Sequence, residues 1–183
     1  MTNNFRRIRE GDFEKVAALQ DQNLFSVLSE ADRQNGFLST KFTPQNFREM
    51  NDSIGIAVAL DGEKICGYLC ASTLNHNLQF PFPAAAIAHA MEISYQGKNL
   101  KNYNCFMANP LCIDKDYRGI GVINGLCDEV IKFAAKNYDL ALSFIADANQ
   151  RSLQASKKVG MEALEKFSLN GNEFWIVVRK ISQ

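Results

Sequence analysis

The spacing of apolar residues predicts one short strand and three helices in the first third of the chain. The strand is expected over residues 5–9, and apolar positions at helical spacing follow over residues 13–20. A second helix is predicted over residues 23–35. A third begins at Thr43 and Pro44, because threonine is a common helix cap and proline fits the first helical position.

From residue 54 onward the pattern changes to β-rich runs. Two runs flank Asp61 and Gly62, and two others flank Asn170 and Gly171 near the end of the chain. Dipeptides of this kind between apolar runs are strong signals for a tight turn, so each pair of runs is predicted to form a hairpin. A buried strand is predicted over residues 140–146.

Three further helices are predicted in the second half of the chain. An alanine-rich helix is expected over residues 83–95, with its end near Gly97. An amphipathic helix is predicted over residues 122–137, where apolar positions recur at helical spacing. A short helix follows over residues 149–159 and is closed by Gly160.

A proline interrupts the strand-like run over residues 104–113. Since Pro110 cannot donate a hydrogen bond to a sheet ladder, we predict a bulge or a split in the sheet at this position. Helices and strands are mixed along the whole chain, without repeats or linkers. The fold class is therefore α/β with a mixed sheet, in a single domain over residues 1–183.

Composition narrows the class of protein further. The chain has 183 residues with 20 basic and 20 acidic side chains, which does not indicate a nucleic-acid partner. The five cysteines lie in apolar runs and favour reduced, buried thiols over disulfides; Cys66 and Cys70 lack the second pair that a zinc site needs. No apolar signal segment or membrane-length run occurs. We expect a soluble, cytoplasmic protein with no metal and no membrane partner.

One glycine-rich segment lies between the interrupted strand and the amphipathic helix. The candidate phosphate-binding residues in it are Arg118, Gly119, Ile120, Gly121, Val122 and Ile123. Backbone amides at the start of a helix have no partner within the helix, and the helix dipole favours anions there. A plain glycine-rich turn with an exposed arginine is the alternative, and residues alone leave both open. The segment is neither a Walker loop nor a full dinucleotide fingerprint.

The same segment resembles a motif of the GNAT family of N-acetyltransferases. The family pattern is [QR]-x-x-G-x-[GA], in which Arg118 matches the first position and Gly121 the fourth, while Ile123 departs from the sixth. The preceding "PLCIDKDYRG" resembles the central strand of the family and its exit. Downstream, "NQRSLQASKKVGM" resembles the family segment N-x-x-[AS]…G-[FM]. The order of elements also matches the family.

The resemblance implies a fold and a co-substrate. It implies a largely antiparallel central sheet in which the strand ending at Ile113 splays from its neighbour over residues 140–146. Acetyl-CoA would lie in the gap, with its pyrophosphate on residues 118–123. The pantetheine arm would meet Leu111, Cys112 and Ile113, together with Asn149 and Ser152. For Asn149, a helix cap is an alternative role that is compatible with the first.

The reaction implied is acetyl transfer to an amine of a small molecule or peptide. Relatives often carry a tyrosine acid where this chain has Ser156, and a surface serine is the alternative for this position. Tyr103 is a second catalytic candidate, with Glu92 as a further contributor, because the central strand lacks a carboxylate. An acyl-CoA-binding sensor of the same fold is the alternative function. The acceptor is not identified, and a homodimer is allowed.

Aromatic residues in two loops offer a candidate acceptor pocket. They are Phe37, Phe42, Phe80, Phe82 and Tyr95. Packing in the hydrophobic core is the alternative, and it is the commoner fate of such residues.

Overall fold

A computed structural model describes residues 4–181 of the chain. The strands are β1 (Asn4–Arg7), β2 (Gly55–Asp61), β3 (Lys64–Thr73), β4 (Ser94–Tyr95), β5 (Lys98–Asn99), β6 (Cys105–Met107), β7 (Leu111–Ile113), β8 (Leu140–Ala146), β9 (Glu162–Leu169) and β10 (Asn172–Lys180). The helices are α1 (Phe13–Asp21), α2 (Glu30–Arg33), α3 (Pro44–Ser53), α4 (Leu74–Asn77), α5 (Pro81–Ala90), α6 (Val122–Ala134) and α7 (Gln150–Lys158).

The strands form one eight-stranded sheet and a small separate hairpin. The order in the large sheet is β1-β2-β3-β6-β8-β10-β9, with β7 paired to β3 beside β6. All neighbours are antiparallel except β6 and β8, which are parallel. The predicted mixed and largely antiparallel sheet is therefore confirmed.

The two predicted hairpins form where the turn residues stand. Gly62 has a positive φ of 60° between β2 and β3, and Asn170 and Gly171 have φ values of 52° and 78° between β9 and β10. Two successive positive φ values match the twist of the flanking strands in a two-residue hairpin turn. The predicted cap of α3 is also confirmed, because the Thr43 side chain accepts a hydrogen bond from the Asn46 amide.

Helices cover both faces of the sheet. On one face, α1 and α3 pack on β2 and β3 through a cluster that contains Phe13, Phe47 and Tyr68. On the opposite face, α6 packs on the same strands through Leu126 and Val130. Alternating residues of a strand point to opposite faces, so the long buried run of β2 and β3 supplies both clusters. Burying this apolar surface is the main stabilising contribution to the fold.

The sheet splits where Pro110 stands, as the sequence predicts. Up to Ala108, the chain pairs with β8, and the last bond of that ladder runs from the Ala108 amide to the Leu142 carbonyl (2.8 Å). Beyond Pro110, the chain pairs only with β3, through Leu111 to Ile113. As a result β7 and the second half of β8 diverge, and a wedge opens between them.

Three predicted helices have different bounds in the structure. Within residues 23–35, only Glu30–Arg33 is helical. Leu24 instead forms a parallel bridge with Leu38, which holds the preceding part of the segment in an irregular path. The alanine-rich helix ends at Ala90 rather than near Gly97, because residues 94–99 form the β4–β5 hairpin and Gly97 lies in its turn with a φ of 85°.

The amphipathic helix α6 ends at Ala134, three residues earlier than predicted, and a turn from Ala134 to Asn137 follows it.

Four of the five cysteines are buried as free thiols, which agrees with the prediction that they lie in the core, and burial raises the pKa of Cys105 to about 12. Over residues 4–181, every helix is too short or too polar to cross a bilayer.

Candidate functional site

The glycine-rich segment makes a sharp turn into α6. Gly119 and Gly121 have φ values of 83° and 89°, a region that residues with a side chain rarely adopt. A Cβ at Gly119 would meet nothing within 4 Å, and at Gly121 only the Asn124 side chain at 3.7 Å. Glycine is thus required here by the backbone conformation and not by lack of space. The turn leaves the amides at the start of α6 directed outward.

The Arg118 side chain holds the neighbouring segment in place. Its Nε donates to the carbonyl of Ile113 (2.8 Å), and its two terminal nitrogens donate to the Asn35 carbonyl and to Asn23 Oδ1 (both 2.6 Å). Burial lowers the pKa of the guanidinium from its ordinary value, but a guanidinium stays protonated. Since all three acceptors are uncharged, Arg118 keeps a net positive charge beside the glycine-rich turn.

A cavity of about 440 Å³ lies between this turn and α7, and we call it the cationic cleft. Its charged lining residues are Arg118, Arg151 and Lys158, and no carboxylate lines it among the described residues. Gly119, Gly121, Val122 and Ile123 form the adjacent wall, so cationic side chains and helix-start amides face the same volume. This combination suits phosphate oxygens.

The exposed edge of β7 forms the next part of the cleft. The Cys70 amide donates to the Pro110 carbonyl (3.0 Å), and the Asp114 amide donates to the Cys66 carbonyl (2.9 Å). Hydrogen-bonded pairs alternate along an antiparallel ladder, so Cys112 also turns its backbone groups toward β3. The backbone groups of Leu111 and Ile113 face the wedge instead.

Asn109 occupies the apex of the wedge. In the amide orientation that satisfies both ends, its oxygen accepts from the Phe144 amide (3.2 Å) and from Ser143 Oγ (2.9 Å), and its nitrogen donates to the Ala108 carbonyl (3.0 Å). The side chain thereby takes the place that the next residue of β6 would have had beside β8. The wedge can open at this point without leaving the Phe144 amide unpaired.

Asn149 joins the wedge to the same N-terminal segment that Arg118 holds. Its oxygen accepts from the Ser152 amide (3.3 Å), which confirms the predicted cap of α7. Its side-chain nitrogen donates to the carbonyl of Phe37 (2.9 Å). Two side chains of the cleft therefore fix the carbonyls of Asn35 and Phe37.

A second cavity of about 340 Å³ passes through the wedge, and we call it the inner cavity. It shares a wall with the cationic cleft, formed by Phe37, Leu38, Leu111, Ile123, Asn149 and Ser152. On the face of α3 and α5, its lining includes Phe42, Phe82 and Phe144, while Cys127, Ser156 and Arg179 line the face of α6 and α7. The two cavities together form one path from the glycine-rich turn through the sheet.

Comparison with known proteins assigns this architecture. The Acetyltransferase (GNAT) family matches residues 22–161, which is more than half of the chain. The chain belongs to the GNAT family. By sequence, no curated protein matches it.

Solved structures show the same fold at low sequence identity. Arabidopsis thaliana NAA60 in complex with acetyl-CoA is similar with a TM-score of 0.68 and 15% identity, over 98% of this chain and 100% of that one. The NatC complex bound to Gag peptide and CoA has a TM-score of 0.63 and 13% identity, over 100% of both chains. The ribosomal-protein-S18-alanine N-acetyltransferase from Escherichia coli has a TM-score of 0.63 and 8% identity, over 100% of this chain and 96% of that one.

The structure separates the two catalytic candidates of this GNAT protein. Ser156 is buried and lines the inner cavity, so its alternative as a surface serine is wrong. Tyr103 lines neither cavity, and its hydroxyl donates to the Tyr95 carbonyl (2.8 Å). Glu92 is exposed and lies 3.4 Å from Lys101. Only Ser156 therefore meets the wedge.

The predicted co-substrate residues of this GNAT chain lie largely together. Arg118, Gly119, Gly121, Val122 and Ile123 line the cationic cleft with Leu111, Cys112, Ile113, Asn149 and Ser152. Ile120 does not line it and is 56% exposed at the tip of the turn. The side chain of Cys112 lies in the core cluster under α1 and α3, and burial raises its pKa to about 12. Cys112 therefore lies at the floor of the cationic cleft, with its side chain in the core.

Sequence reasoning missed three residues of the GNAT site. Arg151 and Lys158 stand seven positions apart on α7, and this spacing of two helical turns places them on one side of the helix. That periodicity is a signal the sequence contains. Asn109 carries no such signal, because its role depends on where β6 leaves β8.

Proposed function

We propose that this protein is an acetyl-CoA-dependent N-acetyltransferase. The observation that carries the proposal is the path that joins the cationic cleft to the wedge between β7 and β8. It offers phosphate-binding groups at one end, free strand-edge groups in the middle and a cavity lined mainly by apolar side chains at the far end. A molecule with a phosphorylated head, an amide-containing arm and a terminal acyl group matches this sequence of environments.

Each part of the path has a role in binding. The amides from Gly119 to Ile123 and the cations Arg118, Arg151 and Lys158 receive the phosphates. The amides and carbonyl of Leu111 and the amide of Ile113 pair with the pantetheine arm, as an added strand pairs with a sheet edge. The Ile113 carbonyl is already used by Arg118. The thioester then lies beside Ser156, within the inner cavity.

The transfer step follows from these positions. The lone pair of a neutral acceptor amine attacks the thioester carbonyl carbon and forms the C–N bond. The C–S bond then breaks, the nitrogen loses one proton, and the thiolate of CoA gains one proton. The Ser156 hydroxyl lines the inner cavity, and it is the group placed to hydrogen-bond the leaving sulfur. Its ordinary acidity suits a hydrogen-bonding role better than that of a strong acid.

Binding of CoA is the first test. At a concentration one hundred times its Kd, CoA stabilises the native state by about 2.7 kcal/mol, which is about 5–10 °C in Tm for a chain of this size. Differential scanning fluorimetry with CoA measures this shift, with adenosine as a control that lacks phosphates. No shift at millimolar CoA would overturn the proposal.

Turnover is the second test, because the alternative is an acyl-CoA sensor of the same fold. Thiol release from acetyl-CoA is measured with and without a panel of amines. An acetyltransferase releases CoA faster in the presence of at least one amine, with a matching acetylated product by mass spectrometry. Tight binding without any amine-stimulated release would favour the sensor.

A further inference from the structure

The cationic cleft lies on the side of α6 and α7, so we assign the opposite face of the inner cavity, that of α3 and α5, to the acceptor and call it the acceptor side. Among the described residues, no charged side chain lines the acceptor side. On the face of α3 and α5, its lining residues are Phe37, Leu38, Phe42, Phe82, Phe144 and Phe174, with Ser39, Thr40, Asn77 and Asn109 as polar neighbours. The one charged residue that lines the inner cavity, Arg179, belongs to the opposite face with Cys127. An acceptor with a second ammonium group or a free carboxylate would find no counter-charge there.

Aromatic rings give this side a definite shape. The ring of Phe82 lies edge-on to Phe144, with centroids 6.4 Å apart, and is 4.6 Å from the ring of Phe174. Phe82 and Phe144 are both half-buried, so part of each ring faces the cavity. Such a wall favours an apolar side chain on the acceptor, since a missing methylene in an apolar pocket lowers kcat/KM by about 10–200-fold.

Within residues 4–181, no side chain that lines this cavity could remove a proton from the acceptor. Its titratable residues are Cys127 and Arg179, and burial raises the pKa of the Cys127 thiol to about 11. His76 lies behind the wall, with its ring 5.9 Å from that of Phe80, and does not line the cavity. The acceptor amine must therefore be neutral in a useful fraction before it binds.

This requirement selects among amines. A peptide α-amino group has a pKa of about 7.7–8.0, and a lysine side chain about 10.4. At pH 7.5, the neutral fraction of the α-amino group is larger by about 200–300-fold. Resting on the proposed function, we infer that the acceptor is the α-amino group of an apolar residue whose carboxyl group is an amide or a peptide bond.

Matched acceptors test the inference with purified protein and acetyl-CoA. Phenylalaninamide is compared with glycinamide, with free phenylalanine, with Nα-acetyl-lysinamide and with spermidine. We expect kcat/KM for phenylalaninamide to exceed that for glycinamide by at least about tenfold and that for the lysine derivative by at least about one hundredfold. A pentapeptide that begins with phenylalanine distinguishes peptides from small amides as the source.

Two variants connect the preference to the cavity. Phe82→Ala is expected to lower kcat/KM for phenylalaninamide by about ten times more than that for glycinamide. Leu78→Ala is the matched control, because Leu78 is 51% exposed and lies outside the cavity lining. Thr40→Glu adds a carboxylate at the exposed rim of the inner cavity. It is expected to raise the rate with spermidine relative to the rate with phenylalaninamide.

The pH profile provides a readout that a structural role would not change. Without an enzyme base, kcat/KM rises with pH until the amine itself is neutral, so the midpoint follows the pKa of each acceptor. A midpoint below the ordinary histidine value, the direction in which burial shifts the pKa of His76, that is the same for all acceptors and is lost in His76→Gln would instead identify an enzyme base and overturn the inference. Faster turnover of spermidine or the lysine derivative would also overturn it, while leaving acetyl transfer intact. Absence of CoA binding would contradict the proposed function itself.

Discussion

The two halves of the path, the cationic cleft and the inner cavity, are lined by different chemical groups. The cationic cleft is lined by backbone amides, three cationic side chains and polar amides, and the glycines in its wall hold the backbone in a conformation that other residues rarely adopt. The inner cavity is lined mainly by aromatic and aliphatic side chains, most of which belong to strands or helices. In the proposed function, the first half would hold its ligand through backbone amides together with cationic side chains, and the second mainly through apolar side chains.

This difference predicts where substitutions act. Backbone recognition depends on a few φ angles and on the segment that frames the cleft, so changes there affect every ligand that carries the same phosphates. Side-chain recognition depends on individual rings, so changes there alter which acceptor is preferred. The following variants are ordered from the largest expected effect to the smallest.

Gly121→Val is expected to have the largest effect. A β-branched residue at a φ of 89° costs about 1–3 kcal/mol, and the start of α6 must rearrange to relieve the strain. We expect the Kd for CoA to rise by at least about one hundredfold, measured by isothermal titration calorimetry, with a cooperative unfolding transition retained.

Gly171→Val is the matched control for that variant. Gly171 has a similar φ of 78° in the β9–β10 turn, and a Cβ there would meet nothing within 4 Å. It should lose comparable stability and keep its affinity for CoA. Equal losses of affinity in the two variants would show that general strain, and not the position of the amides, governs binding.

Arg118→Met is expected to have the next largest effect, because it leaves three oxygens without their donors. The Ile113 and Asn35 carbonyls and Asn23 Oδ1 would each lose a hydrogen bond of 2.6–2.8 Å. Amide hydrogen exchange over residues 23–38 should accelerate, and the Kd for CoA should rise by about tenfold.

Arg118→Lys separates the charge from the geometry. Lysine keeps the positive charge but lacks the planar fork that reaches three acceptors. It should show the same fast exchange over residues 23–38 and a smaller loss of affinity. Slow exchange in both variants would refute the role of Arg118 in holding this segment.

Removing the α7 cations should have the smallest effect of the three. Arg151→Ala with Lys158→Ala is expected to weaken CoA binding by several-fold at low salt and to flatten its dependence on ionic strength, since exposed charges are screened within about 10 Å at 0.1 M salt. The KM for the acceptor should not change, because neither residue lines the inner cavity.

Lys157→Ala provides the comparison for this pair. Lys157 is an exposed neighbour on α7 that does not line the cleft. Its removal should leave both the affinity and the salt dependence nearly unchanged. A similar loss in Lys157→Ala would mean that the overall charge of α7, and not the cations of the cleft, attracts CoA.

Much of the fold follows from local patterns. The turns at Gly62 and at Asn170 with Gly171, and the cap at Thr43, are set by residues adjacent in sequence, and each forms as predicted. The break at Pro110 is also local, because it follows from a missing donor. The segment over residues 23–35 is different. Its path depends on Leu38 and on hydrogen bonds from Arg118, which lie outside the segment, so the local sequence pattern cannot reveal it.

The site divides in the same way. The glycine-rich turn and its resemblance to a family motif predict the residues around the cationic cleft. The inner cavity is lined by residues of ten separate helices and strands and of the loops between them, so only some of the candidate aromatics could be assigned in advance. Phe37, Phe42 and Phe82 line it, whereas Tyr95 is buried in the core near α5 and Phe80 packs on Phe42.

The bonds that hold the N-terminal segment have a consequence for how the molecule is made. Asn23, Asn35 and Phe37 are fixed by partners that lie 95, 83 and 112 positions later in the chain. During synthesis, the hydrogen bond from Asn149 to the Phe37 carbonyl can form only after Asn149 has left the ribosome. Contacts between residues so far apart in sequence slow folding, because a long loop must close before they can form. If the proposed function holds, CoA binding therefore reports on whether these distant segments have come together.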